Sequence, residues 1–141
     1  MKYTLIACML AASYILNAED TCSLMMGEEN DPEEIVTVKG EGVSFCCSTC
    51  KKVFSENKAY YIKAIPKLYS KFTQVQLTEL GVDNVKLLDQ RTCPVYPDRV
   101  INPNSPTVDY KGITIYLWSS SAVRRWNKDP ERYFKNYSVY I

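Results

Sequence analysis

The sequence VKGEGVSFCCSTCKKVFSENKAYY at residues 38–61 aligns without gaps with YKGITIYLWSSSAVRRWNKDPERY at residues 110–133. Residue n of the first segment corresponds to residue n + 72 of the second (110 minus 38). The matched positions carry a Lys-Gly dipeptide, a large aromatic residue and a tyrosine: Lys39-Gly40 with Lys111-Gly112, Phe54 with Trp126, and Tyr61 with Tyr133. Upstream, Cys22 matches Cys93 with a spacing that differs by one residue. A repeat of this length predicts two copies of one small structural unit.

Both copies predict the same order of elements, in which two short strands precede a helix. Alternating β-branched residues predict first strands at residues 34–39 and 107–111. After a glycine, residues 43–45 and 113–117 predict second strands, so each copy is expected to form a β-hairpin.

The helix of the first copy is expected to begin at Ser48 or Thr49, either of which can cap it. Cys50, Val53 and Phe54 then follow at helical spacing on one face. In the second copy, residues 119–121 are all serine and can cap a helix that carries Ala122, Val123 and Trp126 on the corresponding face.

Between the copies, residues 65–80 predict a linking helix that has Pro66 in its first turn and ends at Gly81. We therefore predict an α+β fold made of two small repeated units, each a β-hairpin followed by a helix, joined by a helical linker. The predicted boundaries are residues 19–64 for the first unit, 65–90 for the linker and 91–141 for the second unit.

The N-terminus has the features of an export signal. Lys2 supplies a positive charge, residues 3–16 are uncharged, and Asn17-Ala18 offers a small residue for cleavage. The apolar run is shorter than the ~20 residues that span a bilayer, so a signal peptide at residues 1–18 is favoured over a retained membrane anchor. The mature protein is predicted to be periplasmic or secreted, with no stable membrane insertion.

Charge and composition argue against several classes of function. Removing Lys2 with the signal reduces the 17 basic residues to 16, which balances the 16 acidic ones, so no nucleic-acid partner is expected. The chain contains no histidine, which excludes Ser-His-Asp and Cys-His catalytic pairs. The sequence also lacks a glycine-rich phosphate loop. We predict a binding protein and not an enzyme.

Five of the six cysteines remain after signal removal, and three interpretations of them stay open: Cys22, Cys46, Cys47, Cys50 and Cys93. Structural disulfides suit an exported protein, which would then be an interaction or scaffolding module for another exported protein. Cys47 and Cys50 form a CxxC at a helix start, which is a weak redox signal without a βαβ context. The third interpretation is a site for a soft metal ion.

The metal interpretation rests on thiolates that converge from two parts of the chain. Cys46 and Cys50 straddle a strand end and the first turn of a helix, and Cys22 approaches from the N-terminal segment. Cys47, or a thioether from Met25 or Met26, can complete the set. Thiolate and thioether ligands without imidazole select Cu(I) or Zn(II) over hard cations.

These residues resemble a known family, the YHS domain and its TRASH-like relatives, which are small modules associated with heavy metals. A similar pattern is carried here by Cys22, the hairpin glycine Gly40 and the run FCCSTCKKVF at residues 45–54. The second copy resembles the pattern at CPV, residues 93–95, and at DPERY, residues 129–133. The first copy departs from it in having Asn57-Lys58 where the family has Asp-Pro. The resemblance implies a tandem heavy-metal-associated protein.

The second copy has lost the cysteine cluster. Trp118, Ser119 and Ala122 stand where the first copy has Cys46, Cys47 and Cys50. We expect this copy to bind no metal, with Trp118 as a buried indole in the former pocket. Cys93 is expected to be a buried free thiol or to be bridged to the first copy.

Overall fold

The computed structural model describes residues 21–139, which form an α+β fold of two hairpin–helix units, as predicted. The predicted signal peptide at residues 1–18 lies outside the described residues. The elements follow one another in this order: β1 Asp31–Val38, β2 Glu41–Phe45, α1 Ser48–Glu56, α2 Lys58–Ala64, α3 Pro66–Tyr69, α4 Gln74–Glu79, a 3₁₀ turn at Val82–Asn84, β3 Thr107–Tyr110, β4 Ile113–Tyr116, α5 Ser120–Lys128 and α6 Pro130–Phe134.

The two predicted hairpins are confirmed, and their turns have the same backbone. Antiparallel pairing brings Val38 opposite Glu41 in β1–β2 and Tyr110 opposite Ile113 in β3–β4, which leaves a two-residue Lys-Gly loop in each. Both loop residues have positive φ, at 50° and 85° in the first hairpin and 51° and 77° in the second. This is the geometry of a type I′ turn, and glycine takes its second position without a Cβ penalty.

Each hairpin leads into a nine-residue helix, α1 or α5, whose N-cap backbone is extended. The prediction that Ser48 or Thr49 caps α1 is wrong, because the helix starts one residue earlier and Cys47 takes the N-cap position. In α5 the predicted serine cap is confirmed, since the Ser119 hydroxyl accepts a hydrogen bond from the Ala122 amide at 3.3 Å. The cap of the first unit is thus a cysteine of the cluster.

The linker is not the single helix predicted for residues 65–80. It forms two short helices, α3 and α4, because Thr73 starts a new one. Its hydroxyl accepts from the Gln76 amide at 3.3 Å, and the Gln76 side chain accepts from the Thr73 amide at 2.8 Å. The predicted ends are confirmed: Pro66 occupies the first turn of α3, and Gly81, with φ of 72°, follows α4.

Each unit has its own hydrophobic core, and both cores use the predicted aromatic residue of the repeat. Phe54 is fully buried in the first core and Trp126 is 2% exposed in the second. The units are joined by backbone hydrogen bonds from Val100 to Leu24 at 3.0 Å and from Met26 to Asp98 at 2.8 Å. The second unit therefore packs beside the chain segment that carries Cys22.

A buried hydrogen-bond relay also crosses between the units. The Tyr61 hydroxyl donates to the Val100 carbonyl at 3.1 Å and accepts from the Asn102 side-chain amide at 2.8 Å. Tyr61 is fully buried and Asn102 is 4% exposed, so water cannot replace these bonds without rearrangement.

We expect Tyr61→Phe to lower the free energy of unfolding by about 1–3 kcal/mol, because it leaves a buried carbonyl and a buried amide without a partner. Urea denaturation of the metal-free protein measures this difference. Tyr133→Phe, at the half-buried equivalent position of the second unit, is the matched control and should change stability by less than about 0.5 kcal/mol. Equal effects of the two substitutions would contradict a role for the relay.

Candidate metal centre

Two backbone turns bring the cysteines of the first unit together. In the first turn, the Cys22 amide donates to the Glu28 carbonyl at 2.8 Å and the Glu28 amide donates back to Met25 at 3.2 Å. The second turn connects β2 to α1 and carries Cys46 and Cys47. Cys50 follows in the first turn of α1, so the cluster lies where the N-terminal segment meets the start of that helix.

The sulfur atoms lie at separations that suit one metal ion. The Sγ atoms of Cys22, Cys46 and Cys50 are all within 4.8 Å of one another. The Cys46 thiol is 3.7 Å from the Cys50 sulfur, 3.8 Å from the Cys47 sulfur and 3.5 Å from the Met25 sulfur. Sulfur atoms bound about 2.3 Å from a tetrahedral ion lie about 3.8 Å apart. The cluster could hold a metal ion with little rearrangement.

Burial divides the sulfur-containing residues of the cluster, which are four cysteines and Met25, into two groups. Cys22 is 2% exposed and Cys50 is fully buried. Cys46, Cys47 and Met25 are half-buried and pack against the edge of the first core. Behind the cluster that core contains Leu24, Phe45 and Phe54, each fully buried. The cluster thus has one closed apolar side and one side near the surface.

Hydrogen bonds concentrate negative charge on Cys22. The thiol of Cys50 donates to the Cys22 sulfur, and the backbone amides of Cys46, Met25 and Leu24 donate to it as well. These bonds outweigh burial and lower the pKa of Cys22 to about 5. The same thiol–thiolate bond, together with burial, raises the pKa of Cys50 well above its ordinary value. Within the buried pair, these bonds favour the thiolate at Cys22 and the protonated thiol at Cys50.

The pKa values of the two half-buried thiols, Cys46 and Cys47, shift in opposite directions. Burial and the neighbouring Cys22 thiolate raise the pKa of Cys46 to about 12. Burial alone would also raise the pKa of Cys47, but hydrogen bonds from the Cys50 amide, the Cys46 and Cys50 thiols and the Thr49 amide lower it overall. Because a metal ion takes the place of thiol protons, the Cys46 and Cys50 protons are the ones that binding would release.

The second unit repeats the backbone of this centre but keeps only one of its sulfur atoms, that of Cys93. The Cys93 amide donates to the Arg99 carbonyl at 3.0 Å and the Arg99 amide donates to Tyr96 at 3.0 Å, so the turn matches that of Cys22 with an offset of 71 residues. The amides of Trp118, Tyr96 and Val95 point at the Cys93 sulfur. These residues correspond to Cys46, Met25 and Leu24, whose amides donate to the Cys22 sulfur. Here burial dominates and raises the pKa of Cys93.

The prediction that Trp118 is a buried indole is wrong. Trp118 is half-buried, as is Cys46 at the equivalent position, and its ring packs against both cores. The buried positions are instead those of Cys93 and Ala122, which match Cys22 and Cys50, and both are fully buried. Cys93 is a free buried thiol, which is one of the two outcomes expected for it.

Sequence reasoning missed the groups that surround the cluster. The backbone amides of Leu24 and Met25 carry no side-chain signal, and only the turn geometry points them at Cys22. In the second unit, the Arg99 guanidinium lies 4.1 Å from the Tyr96 ring centre and 5.9 Å from that of Trp118. Tyr96 and Trp118 occupy the positions of Met25 and Cys46, so stacking replaces the sulfur contacts of the first unit.

Comparison with known protein families, curated proteins and solved structures finds no match to this chain. The resemblance to the YHS domain therefore stays a prediction. Within residues 21–139, no helix has the length and apolar character needed to cross a bilayer.

Proposed function

We propose that this protein is an exported binding protein for a soft metal ion, Cu(I) or Zn(II), held by Cys22, Cys46 and Cys50. The observation that carries the proposal is the convergence of these three sulfur atoms within 4.8 Å of one another. Cys47 and Met25 lie at the edge of this three-thiolate site, with their sulfur atoms within 3.8 Å of the Cys46 sulfur. As a YHS-like tandem, the protein would carry this site in the first unit only.

The donor set fits such an ion. Four thiols and one thioether, with no imidazole in the chain, favour soft ions over Mg²⁺ or Ca²⁺. Cys50 lies in the first turn of the nine-residue helix α1, where the positive end of the helix dipole stabilises bound thiolates. Bound metal would join the N-terminal segment to α1.

The disulfide alternative receives no support from the structure, because all five cysteines of the described residues are free thiols. A protein-interaction role remains compatible with metal binding, and another exported protein is the partner class it implies. We assign no catalytic activity to the chain, and export itself is part of the proposal.

Anaerobic titration of the purified mature protein tests the proposal. We expect about one equivalent of Cu(I) or Zn(II) per chain, lost in the Cys46→Ser, Cys50→Ser double variant. Cys93→Ser is the matched control, because it removes a buried thiol of the second unit and should leave the stoichiometry unchanged.

Two results would contradict the assignment. Stoichiometric binding that survives the double substitution would place the metal elsewhere in the chain. Loss of the metal in Cys93→Ser would mean that the two units share one site.

A further inference from the structure

The sulfur-containing residues of the centre form a buried pair and a half-buried pair, and the Cys46 sulfur contacts both. Cys22 and Cys50, at 2% and 0% exposure, are the buried pair. Met25 and Cys47 are the half-buried pair. The Cys46 sulfur is almost equally far from the buried Cys50 and from both sulfur atoms of the half-buried pair, at 3.7 Å against 3.8 and 3.5 Å.

This arrangement offers more sulfur ligands than one ion needs. Cu(I) is commonly held by two or three soft ligands, so five sulfur atoms allow two overlapping ligand sets. One set is Cys22, Cys46 and Cys50, and the other is Met25, Cys46 and Cys47. An ion can pass from one set to the other by pivoting about Cys46, without ever losing that bond.

The thioether also distinguishes between the candidate ions. Methionine sulfur is a soft, neutral ligand that suits Cu(I), whereas zinc sites are built from thiolate, imidazole and carboxylate. Met25 donates no charge to the cluster, yet its sulfur lies closer to the Cys46 sulfur, at 3.5 Å, than those of Cys50 and Cys47 do. A thioether at this place favours Cu(I) as the ion that exchanges.

We propose that Met25 and Cys47 are exchange ligands through which Cu(I) enters and leaves the buried Cys22–Cys46–Cys50 site. The inference rests on the proposed metal-binding function and adds the identity of the ion and its route. The partner it implies is a Cu(I) carrier that presents its own thiolate or thioether ligands to the half-buried face of Met25 and Cys47.

The transfer is a ligand exchange without electron transfer. On entry, each Cu–S bond that forms to the protein replaces a bond between Cu(I) and the carrier, which breaks, and copper stays in the +1 state throughout. A thiol that becomes a ligand loses its proton to solvent. When the ion moves inward, bonds to Cys22 and Cys50 replace those to Met25 and Cys47; Cys50 gives up its thiol proton to solvent as it binds, and the released Cys47 sulfur takes a proton from solvent.

The test is the rate of anaerobic Cu(I) transfer from a chromogenic chelator, bathocuproine disulfonate, to the full mature protein, followed by stopped-flow absorbance. We expect the Met25→Leu, Cys47→Ser double variant to keep the wild-type stoichiometry and equilibrium affinity while its transfer rate falls about tenfold or more. Met26→Leu is the matched control, since Met26 is 43% exposed on the neighbouring position and should transfer at the wild-type rate.

Each outcome has a separate meaning. A wild-type transfer rate in the double variant overturns the exchange role, and loss of Cu(I) binding at equilibrium also overturns it, because the two residues would then be resting ligands. A rate loss in Met26→Leu as large as that of the double variant overturns the assignment to Met25 and Cys47. If the wild-type protein binds Zn(II) but no Cu(I), the exchange proposal is overturned and the proposed function stands. If it binds neither ion, the proposed function itself fails.

Discussion

Replacing Trp126 by alanine should lower the free energy of unfolding by about 3–5 kcal/mol, the range typical of removing a buried aromatic side chain. Trp126 is 2% exposed and lies at the centre of the second core. The Tyr110 ring meets it edge-on, with ring centres 5.4 Å apart and an interplanar angle of 88°. Alanine would leave a cavity that neither α5 nor the β3–β4 hairpin can fill without moving.

Trp118→Ala is the matched control for this prediction, because it removes the same side chain from a half-buried position. Trp118 still packs against both cores, so we expect a loss of about 1–2 kcal/mol, in proportion to its smaller buried apolar area. Urea denaturation monitored by far-ultraviolet circular dichroism measures both variants. A larger loss for Trp118→Ala than for Trp126→Ala would reverse our assignment of the second core. Neither substitution should change the metal stoichiometry.

Rebuilding the cluster in the second unit should raise metal binding from about one to about two equivalents per chain. The Trp118→Cys, Ala122→Cys double variant places thiols at the positions that correspond to Cys46 and Cys50. Cys93 already supplies the third thiol, and the same backbone amides surround it as surround Cys22. The caps at Cys47 and Ser119 also have nearly the same backbone angles, with φ of −163° and −158° and ψ of 165° and 170°.

The control for the rebuilt site is Ala122→Cys alone, which leaves two thiols in the second unit and should bind about one equivalent in total. Circular dichroism establishes that both variants fold, and all titrations are anaerobic so that the new thiols stay reduced. A folded double variant that still binds one equivalent would show that equivalent backbone positions are insufficient for a site. In that case the surrounding side chains, including Tyr96 in place of Met25, decide whether metal binds.

Much of the local architecture follows from the sequence alone, because it depends on short-range chemistry. The Lys-Gly dipeptides at residues 39–40 and 111–112 are flanked by alternating β-branched residues, and both form the predicted hairpin turns. The internal repeat predicted two hairpin–helix units, and Phe54 and Trp126 are buried at matching turns of α1 and α5. The spacing of Cys46 and Cys50 predicted that they straddle a strand end and the first turn of a helix, and they do.

Other features depended on contacts between distant parts of the chain, and only the tertiary structure decided them. Trp118 was expected to be buried because it stands where the first copy has Cys46 in the cluster, but this position is half-buried in both units. The linker broke at Thr73 because a capping box competes well with a continued helix when tertiary contacts do not favour one long segment. Cys47 became a helix cap because the hairpin directs the chain into α1 one residue early.

The candidate metal centre also combines features that follow from the sequence with features that only the tertiary structure decided. Sequence spacing alone placed Cys46, Cys47 and Cys50 near one another, since a strand end and a helix start leave few alternatives. The approach of Cys22 and Met25, more than 20 residues away along the chain, required the N-terminal turn to pack on the first core and pair with Val100 and Asp98. Burial of Cys22 and Cys50 beside half-buried Cys47 and Met25 likewise followed from that packing. The identity of the sulfur ligands was therefore a property of the sequence. Their separation, hydrogen bonding and exposure were properties of the assembled core, because these three features depend on which surfaces pack together and exclude water.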